Sequence, residues 1–385
     1  MPLAVYILGL AIFSIGTAEL MVAGMTGTLS QAFGISVGDV GHLISYYAFG
    51  VMLGGPVLTY FFLKYKVQYR KVLLILFVLY VVIQGLSAFN SSHAILIVIR
   101  FVTGVLCAGC LSLSLAISMA MVPNHNKPRA AAIVIGGFMI SNVFGVPLAT
   151  MIDQQWGWRI TFGLVAVLVF ICLIALVRLL PEVSSGGGQI KMEEEIKAFK
   201  NKAYWKACAT SCLILGASFA AFSYFVPVLV DITGFSMQVV PFILMAFGFA
   251  NIVGNTITGR LAHNHSLKIM LVGLTVLSIS LFAFAIFAEY KTVAIIAIIL
   301  IGLSGVPMNP AMMARIVSVA HPGPMVNAVH TSVINIGLGG GSYIGGLAIT
   351  NGYGLRSGLW IGAVLAILAL ASLLPYVRNR QQGWS

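Results

Sequence analysis

The chain has 385 residues, 60% of them hydrophobic and 8% charged, with a mean hydropathy of +1.03. A soluble domain carries about a quarter of its residues as charges, so this composition excludes one and makes lipid the main solvent. The net charge of +12 needs no nucleic acid, because basic residues in short loops beside anionic headgroups account for it.

Apolar stretches recur near residues 3–29, 38–63, 71–90, 93–121, 129–151, 159–180, 205–230, 237–262, 267–288, 292–315, 323–349 and 355–377. Each is long enough for a helix to cross about 30 Å of hydrocarbon, which predicts twelve spans. The first has no basic leader, exceeds the length of a signal-peptide core and runs into another span, so it reads as a retained helix. It carries Thr17 and Glu19. The second carries Tyr47 and Gly54, and the turn after it carries Arg70 and Lys71. Arg100 and Gly104 lie in the fourth span, with Asn142, Gly145 and Pro147 in the fifth and Arg159 opening the sixth.

Residues 182–204 (EVSSGGGQIKMEEEIKAFKNKAY) form the one long polar interruption. They read as a flexible turn and a short amphipathic helix on the inner surface. The expected organisation is therefore a six-helix bundle over 1–181, a cytoplasmic linker over 182–204 and a second six-helix bundle over 205–385. The second bundle carries Phe222, Arg260, Asn309, His330 and Asn335.

With both termini in the cytoplasm, 17 of the 21 Lys and Arg residues fall inside, Arg315 among them in an inner loop. Arg159, Lys291 and Arg356 fall outside and Arg100 within a span. The acids Asp39, Asp153, Asp231 and Glu289 are expected at outer span ends and the other four in the linker, leaving Glu19 as the acid inside a helix. A carboxylate there is costly, and such residues face a cavity and carry protons or substrate. Helix arithmetic puts Glu19 and Arg100 both about 12–14 Å deep, within reach of each other. A guanidinium and an apolar substrate that displaces water act on that carboxyl in opposite senses, which supplies a proton-for-substrate exchange.

The halves echo each other. VMLGGPVLTYF around Gly54 matches NIVGNTITGRL around Gly254, and WGWRITFG resembles YGLRSGLWIG. Two similar six-helix halves suggest a transporter of parallel repeats with substrate bound between them. Polar and aromatic residues within spans are candidate substrate contacts: Thr17, Asn142, Asn309, His330, Asn335, Phe222 and Tyr47. An aromatic wall over 219–225 with Tyr46, Tyr47 and Phe49 is a further expectation. The five cysteines read as packing thiols, with no metal site. No zincin or phosphate-loop motif occurs in the sequence, so an enzyme is not expected.

AIFSIGTAELMVAGM, GHLISYYAFGVMLGGP, Arg100-x-x-x-Gly104, GVPLA, WGWRITF, GFSMQ, GNTITGRLA and NIGLGGGSYIGGLAITNGYG together resemble the major facilitator superfamily. The likeness is to its twelve-span drug:proton antiporters and within them to the arabinose-efflux-type permeases. It departs in two places. LKYKVQYRK keeps Arg70-Lys71 without the usual acid, and Gly145-Val146-Pro147-Leu148-Ala149-Thr150 replaces a motif ending Gly-Pro-x-x-Gly-Gly.

The resemblance implies an all-α membrane protein of two pseudo-symmetric bundles. It would be a monomer in a bacterial inner membrane, exporting a sugar-like or drug-like compound with the proton gradient as energy source and no cofactor. Glu19 and Arg100 would handle the proton, and Gly54, Arg70, Lys71, Gly104, Gly145, Pro147, Arg159 and Arg260 would serve conformational change. A proton-independent facilitator or nutrient importer is the alternative on the same fold.

Overall fold

A backbone in hydrocarbon has no water to satisfy it, so each span closes its own hydrogen bonds as a helix. In the computed structural model, which describes residues 1–65, 67–182, 198–320 and 323–382, twelve helices among the described residues are long and apolar enough to cross a membrane. They are α1 Leu3–Gly24, α2 Val37–Tyr65, α3 Tyr69–Phe89, α4 His93–Ala120, α5 Asn124–Trp156, α6 Trp158–Leu179, α7 Lys202–Phe222, α8 Val240–Ala262, α9 His265–Ile286, α10 Lys291–Val319, α11 Pro324–Tyr353 and α12 Ser357–Tyr376. A short helix, Thr26–Phe33, separates α1 from α2. The amphipathic helix expected in the linker falls mainly on 183–197, outside the described residues. The second bundle begins at Lys202, where the Asn201 side chain accepts from the Ala203 N–H at 2.9 Å and caps α7.

Several helices are interrupted where a backbone donor is missing. In α5 a π-turn over Ser141–Gly145 leads directly into Pro147, absorbing the proline within a continuous span. In α10 the α-helix stops at Ser304, Gly305 adopts φ −80 and ψ −100, and a 3₁₀ turn around Pro307 precedes a restart at Asn309. Gly157 alone joins α5 to α6, at a φ of 83 that disfavours a side chain.

The helices group into two compact units, Met1–Ile35 with Tyr46–Gln189, and Ser36–Ser45 with Ile190–Ser385. The first turns of α2 are thus grouped with the second unit. Within that unit the Ser342 hydroxyl donates to the Gly41 carbonyl at 3.0 Å, and the His42 and Tyr343 rings lie 4.3 Å apart.

Each unit is built on the same close approaches. In the first, Gly104 of α4 lies against the Tyr47 carbonyl and Gly50 of α2; in the second, Gly302 of α10 lies against the Phe247 carbonyl and Ala250 of α8. Gly54 meets Val105 in one and Gly254 meets Leu303 in the other, while the Gly16–Ser141 contact has its counterpart in Gly216–Gly341. Small residues let helices approach where lipid gives no hydrophobic drive to associate. The echo read in the sequence is thus an echo of packing.

The Gly104→Ala variant drives its Cβ into the Tyr47 carbonyl and should cost about 1–3 kcal/mol. Gly136→Ala, with nothing within 4 Å of the added atom, should be neutral or up to about 1 kcal/mol stabilising. Thermal unfolding of the two variants in detergent checks the contrast.

Candidate functional site

The deepest charged group of the first unit is Arg100. It lies on the buried face of α4 and is fully inaccessible. Its Nη1 donates to the Ala18 carbonyl at 2.6 Å and its Nη2 to the Glu19 carbonyl at 2.7 Å, and the guanidinium lies 4.3 Å from the centre of the Tyr47 ring. Three helices therefore meet at one side chain. A planar fork can satisfy two successive carbonyls as a single ammonium cannot, and the aromatic face adds a cation–π contact.

Sequence reasoning brought Glu19 and Arg100 together, and they do meet, but through the main chain of α1. No hydrogen bond or ion pair among the described residues reaches the Glu19 carboxylate. Glu19 is 6% exposed; Tyr47 and Cys107 are its near neighbours, and Tyr80 joins them around the guanidinium. The carboxyl is thus held in a buried, polar, aromatic-walled position by a bond that does not consume its oxygens.

Glu19 is not the sole acid buried in a helix, as the sequence reading had it. Asp153, expected at an outer span end, is 3% exposed in the last turns of α5, where the Thr28 hydroxyl donates to its Oδ2 at 2.8 Å. Arg100 has company too. Arg315, expected in an inner loop, is 5% exposed within α10, donates to the Thr210 hydroxyl at 2.9 Å and covers the Tyr376 ring at 4.6 Å. Both lie within four residues of a helix end, where hydropathy windows cannot tell a loop charge from a buried one. An aromatic residue able to receive Arg315 was the signal available.

The candidate substrate contacts separate. Tyr47 belongs to the Arg100 site. Thr17 donates to the Phe13 carbonyl and packs against Gly145, a helix-packing role. Asn142 lies half-buried in the π-turn of α5, and Asn309 is exposed at the restart of α10. His330 is fully buried and bonds the Ser211 hydroxyl at 3.0 Å. Asn335 donates to the Thr331 carbonyl of its own helix. Phe222 stacks on Phe247 at 5.1 Å, with Phe219 and Phe225 edge-on, so these rings form a packed cluster within the second unit.

Among the motif residues, Arg70 donates to the Val177 carbonyl at 2.8 Å and ties the start of α3 to the end of α6. Lys71 and Arg260 are exposed, and Pro147 is buried. Arg159 stacks on Trp158 and reaches the Asn90 carbonyl at 3.3 Å. The Arg356 counterpart in the second unit pairs with Glu289.

Two bundles of repeated packing, each lined with small residues and holding buried polar groups, define an α-helical membrane carrier. The Major Facilitator Superfamily profile matches residues 8–326, and the chain belongs to that family of transporters. It is 30% identical to the uncharacterised transporter YtbD of Bacillus subtilis, over 99% of this chain and 98% of that one. It is 26% identical to a chloramphenicol resistance protein of Streptomyces lividans, over 98% and 96%. Its fold matches a bacterial homologue of the human lysosomal transporter Spinster, with a TM-score of 0.75 at 15% identity, covering 97% and 96% of the two chains.

Because Arg100 grips carbonyls, Arg100→Lys should lose about 1.5–3 kcal/mol although charge is kept. Glu19→Gln, which leaves both carbonyls in place, should unfold within about 1 kcal/mol of wild type. Thermal melts of the two purified variants are the check, and equal losses would contradict the main-chain assignment.

Proposed function

We propose that this protein exports a small organic compound, drug-like or sugar-like, in exchange for protons by alternating access, with Glu19 as proton carrier and Arg100 as its positioning residue. The observation that carries this reading is the Glu19 site. A carboxyl deep in the first unit, fixed through its own carbonyl and with its oxygens left unbonded, is free to gain and lose a proton without unfastening α1 from α4. An acid at such depth is costly unless it works.

Export of a drug-like compound is supported by the chloramphenicol resistance relative. A relative that is an inner membrane transport protein of Escherichia coli supports a bacterial inner membrane, and the placement of Lys and Arg favours both termini in the cytoplasm. The proton gradient serves in place of any cofactor, and a single chain suffices as the working unit, with each half supplying one bundle.

The test is transport in proteoliposomes under an imposed pH gradient, with a panel of labelled chloramphenicol, sugars and nucleosides. Wild type should accumulate one class uphill, and Glu19→Gln should lower that accumulation at least tenfold while downhill exchange survives. Accumulation unchanged in the variant would place the coupling elsewhere, with Asp153 the next candidate. Equilibration indifferent to the gradient in both proteins would make this a facilitator.

A further inference from the structure

Buried polar side chains without partners are unevenly spread, and several of them share one stripe in the first unit. Tyr80, Gln84 and Ser87 follow at spacings of four and three on the buried face of α3. All three are fully inaccessible. Both ends of the Gln84 amide and the Ser87 hydroxyl find no hydrogen-bond partner among the described residues, and the hydroxyls of Tyr80 and of fully buried Tyr47 on α2 find none in good geometry, although they and the Cys107 thiol face one another.

The stripe has two distinct ends. At one, Tyr80 and Tyr47 lie with Cys107 and Glu19 around the Arg100 guanidinium, and Cys110 lies one turn beyond Cys107 on α4. These are the titratable groups that face it. At the other, Ser87 sits two residues from the end of α3. Its carbonyl accepts from the Asn90 N–H, and the Asn90 carbonyl receives Arg159, so this end reaches polar backbone at the helix terminus.

We propose that Ser87, Gln84, Tyr80 and Tyr47 form a water-binding track inside the first unit that conducts protons between the Asn90 end of the bundle and Glu19. The chemistry selects the occupant. Hydroxyls and a primary amide each offer both a donor and an acceptor, which suits water and gives no net preference to an anion or a cation. Water of this kind bridges buried groups that the protein leaves unpaired. Along such a chain each water oxygen accepts one proton and passes one on while the Gln84 amide and the hydroxyls hold the waters in place, so nothing is consumed and Glu19 ends with the proton. This leaves the substrate path free of the proton, and it rests on the reading of Glu19 as carrier for its endpoint.

Hydroxyl-radical footprinting by X-ray pulse, with mass spectrometry of the intact chain in detergent, tests the track directly, since radicals form from water held beside a side chain. Tyr80 and Tyr47 should be labelled at least tenfold faster than Tyr204. That tyrosine is equally buried, but its hydroxyl is bonded to the Val326 carbonyl. The second readout is hydrogen–deuterium exchange of the Glu19 carboxyl, followed by infrared difference spectroscopy and assigned by its loss in Glu19→Gln. Gln84→Leu should slow it at least tenfold, and Tyr80→Phe, which removes one oxygen from an otherwise unchanged ring, at least threefold. Labelling of Tyr80 and Tyr47 no faster than Tyr204, or an exchange rate unchanged in both variants, would overturn the proposal. The footprint does not depend on transport, so a Glu19→Gln protein that still accumulates substrate uphill would defeat the carrier reading while the footprint still reported on the track.

Discussion

The first unit depends on one side chain. Arg100 is placed where bulk solvent does not reach it, and its burial is tolerable because two α1 carbonyls and the Tyr47 face receive it at once. Those carbonyls belong to Ala18 and Glu19, so the bond that fastens α4 to α1 also sets where the Glu19 side chain begins. Position and protonation are thereby separated. The carboxyl can change charge while the helix contact persists, which a direct ion pair in the same place would not allow.

The glycine contacts complete that constraint. Gly104 lies one turn beyond Arg100 on α4 and brings the helix against the Tyr47 carbonyl; without that approach the Tyr47 ring would not lie beneath the guanidinium. The second unit repeats the approach with Gly302 and Phe247 but has Ile298 where an arginine would correspond. Its buried arginine is Arg315, received by Thr210 and Tyr376 instead. Equivalent backbones have thus been fitted with different polar chemistry.

Much of this was legible in the sequence. Span number and the repeat follow from hydropathy and glycine spacing, because lipid demands helices and close packing demands small residues. Glu19 and Arg100 stood out as charges within apolar runs. What could not be read was the atom by which they meet, since depth arithmetic fixes a level along the helix and not a direction around it. Asp153 and Arg315 escaped for a related reason: near a helix end, one turn decides between a loop and a buried position. The hydrogen-bond partners of the candidate substrate contacts were the least legible. Thr17 and Asn335 spend their hydrogen bonds on their own helices and His330 on a neighbouring one, a choice that residue type alone does not reveal.

Solid-state NMR of protein in lipid bilayers tests the central assignment most directly, by dipolar distances from ¹⁵N-labelled Arg100 to ¹³C-labelled Ala18 and Glu19. The account predicts that both main-chain carbonyl carbons lie about 3.5 Å from guanidinium nitrogens, and that the distances survive Glu19→Gln unchanged. A guanidinium found closest to the Glu19 carboxyl carbon, and released when that residue becomes glutamine, would contradict it.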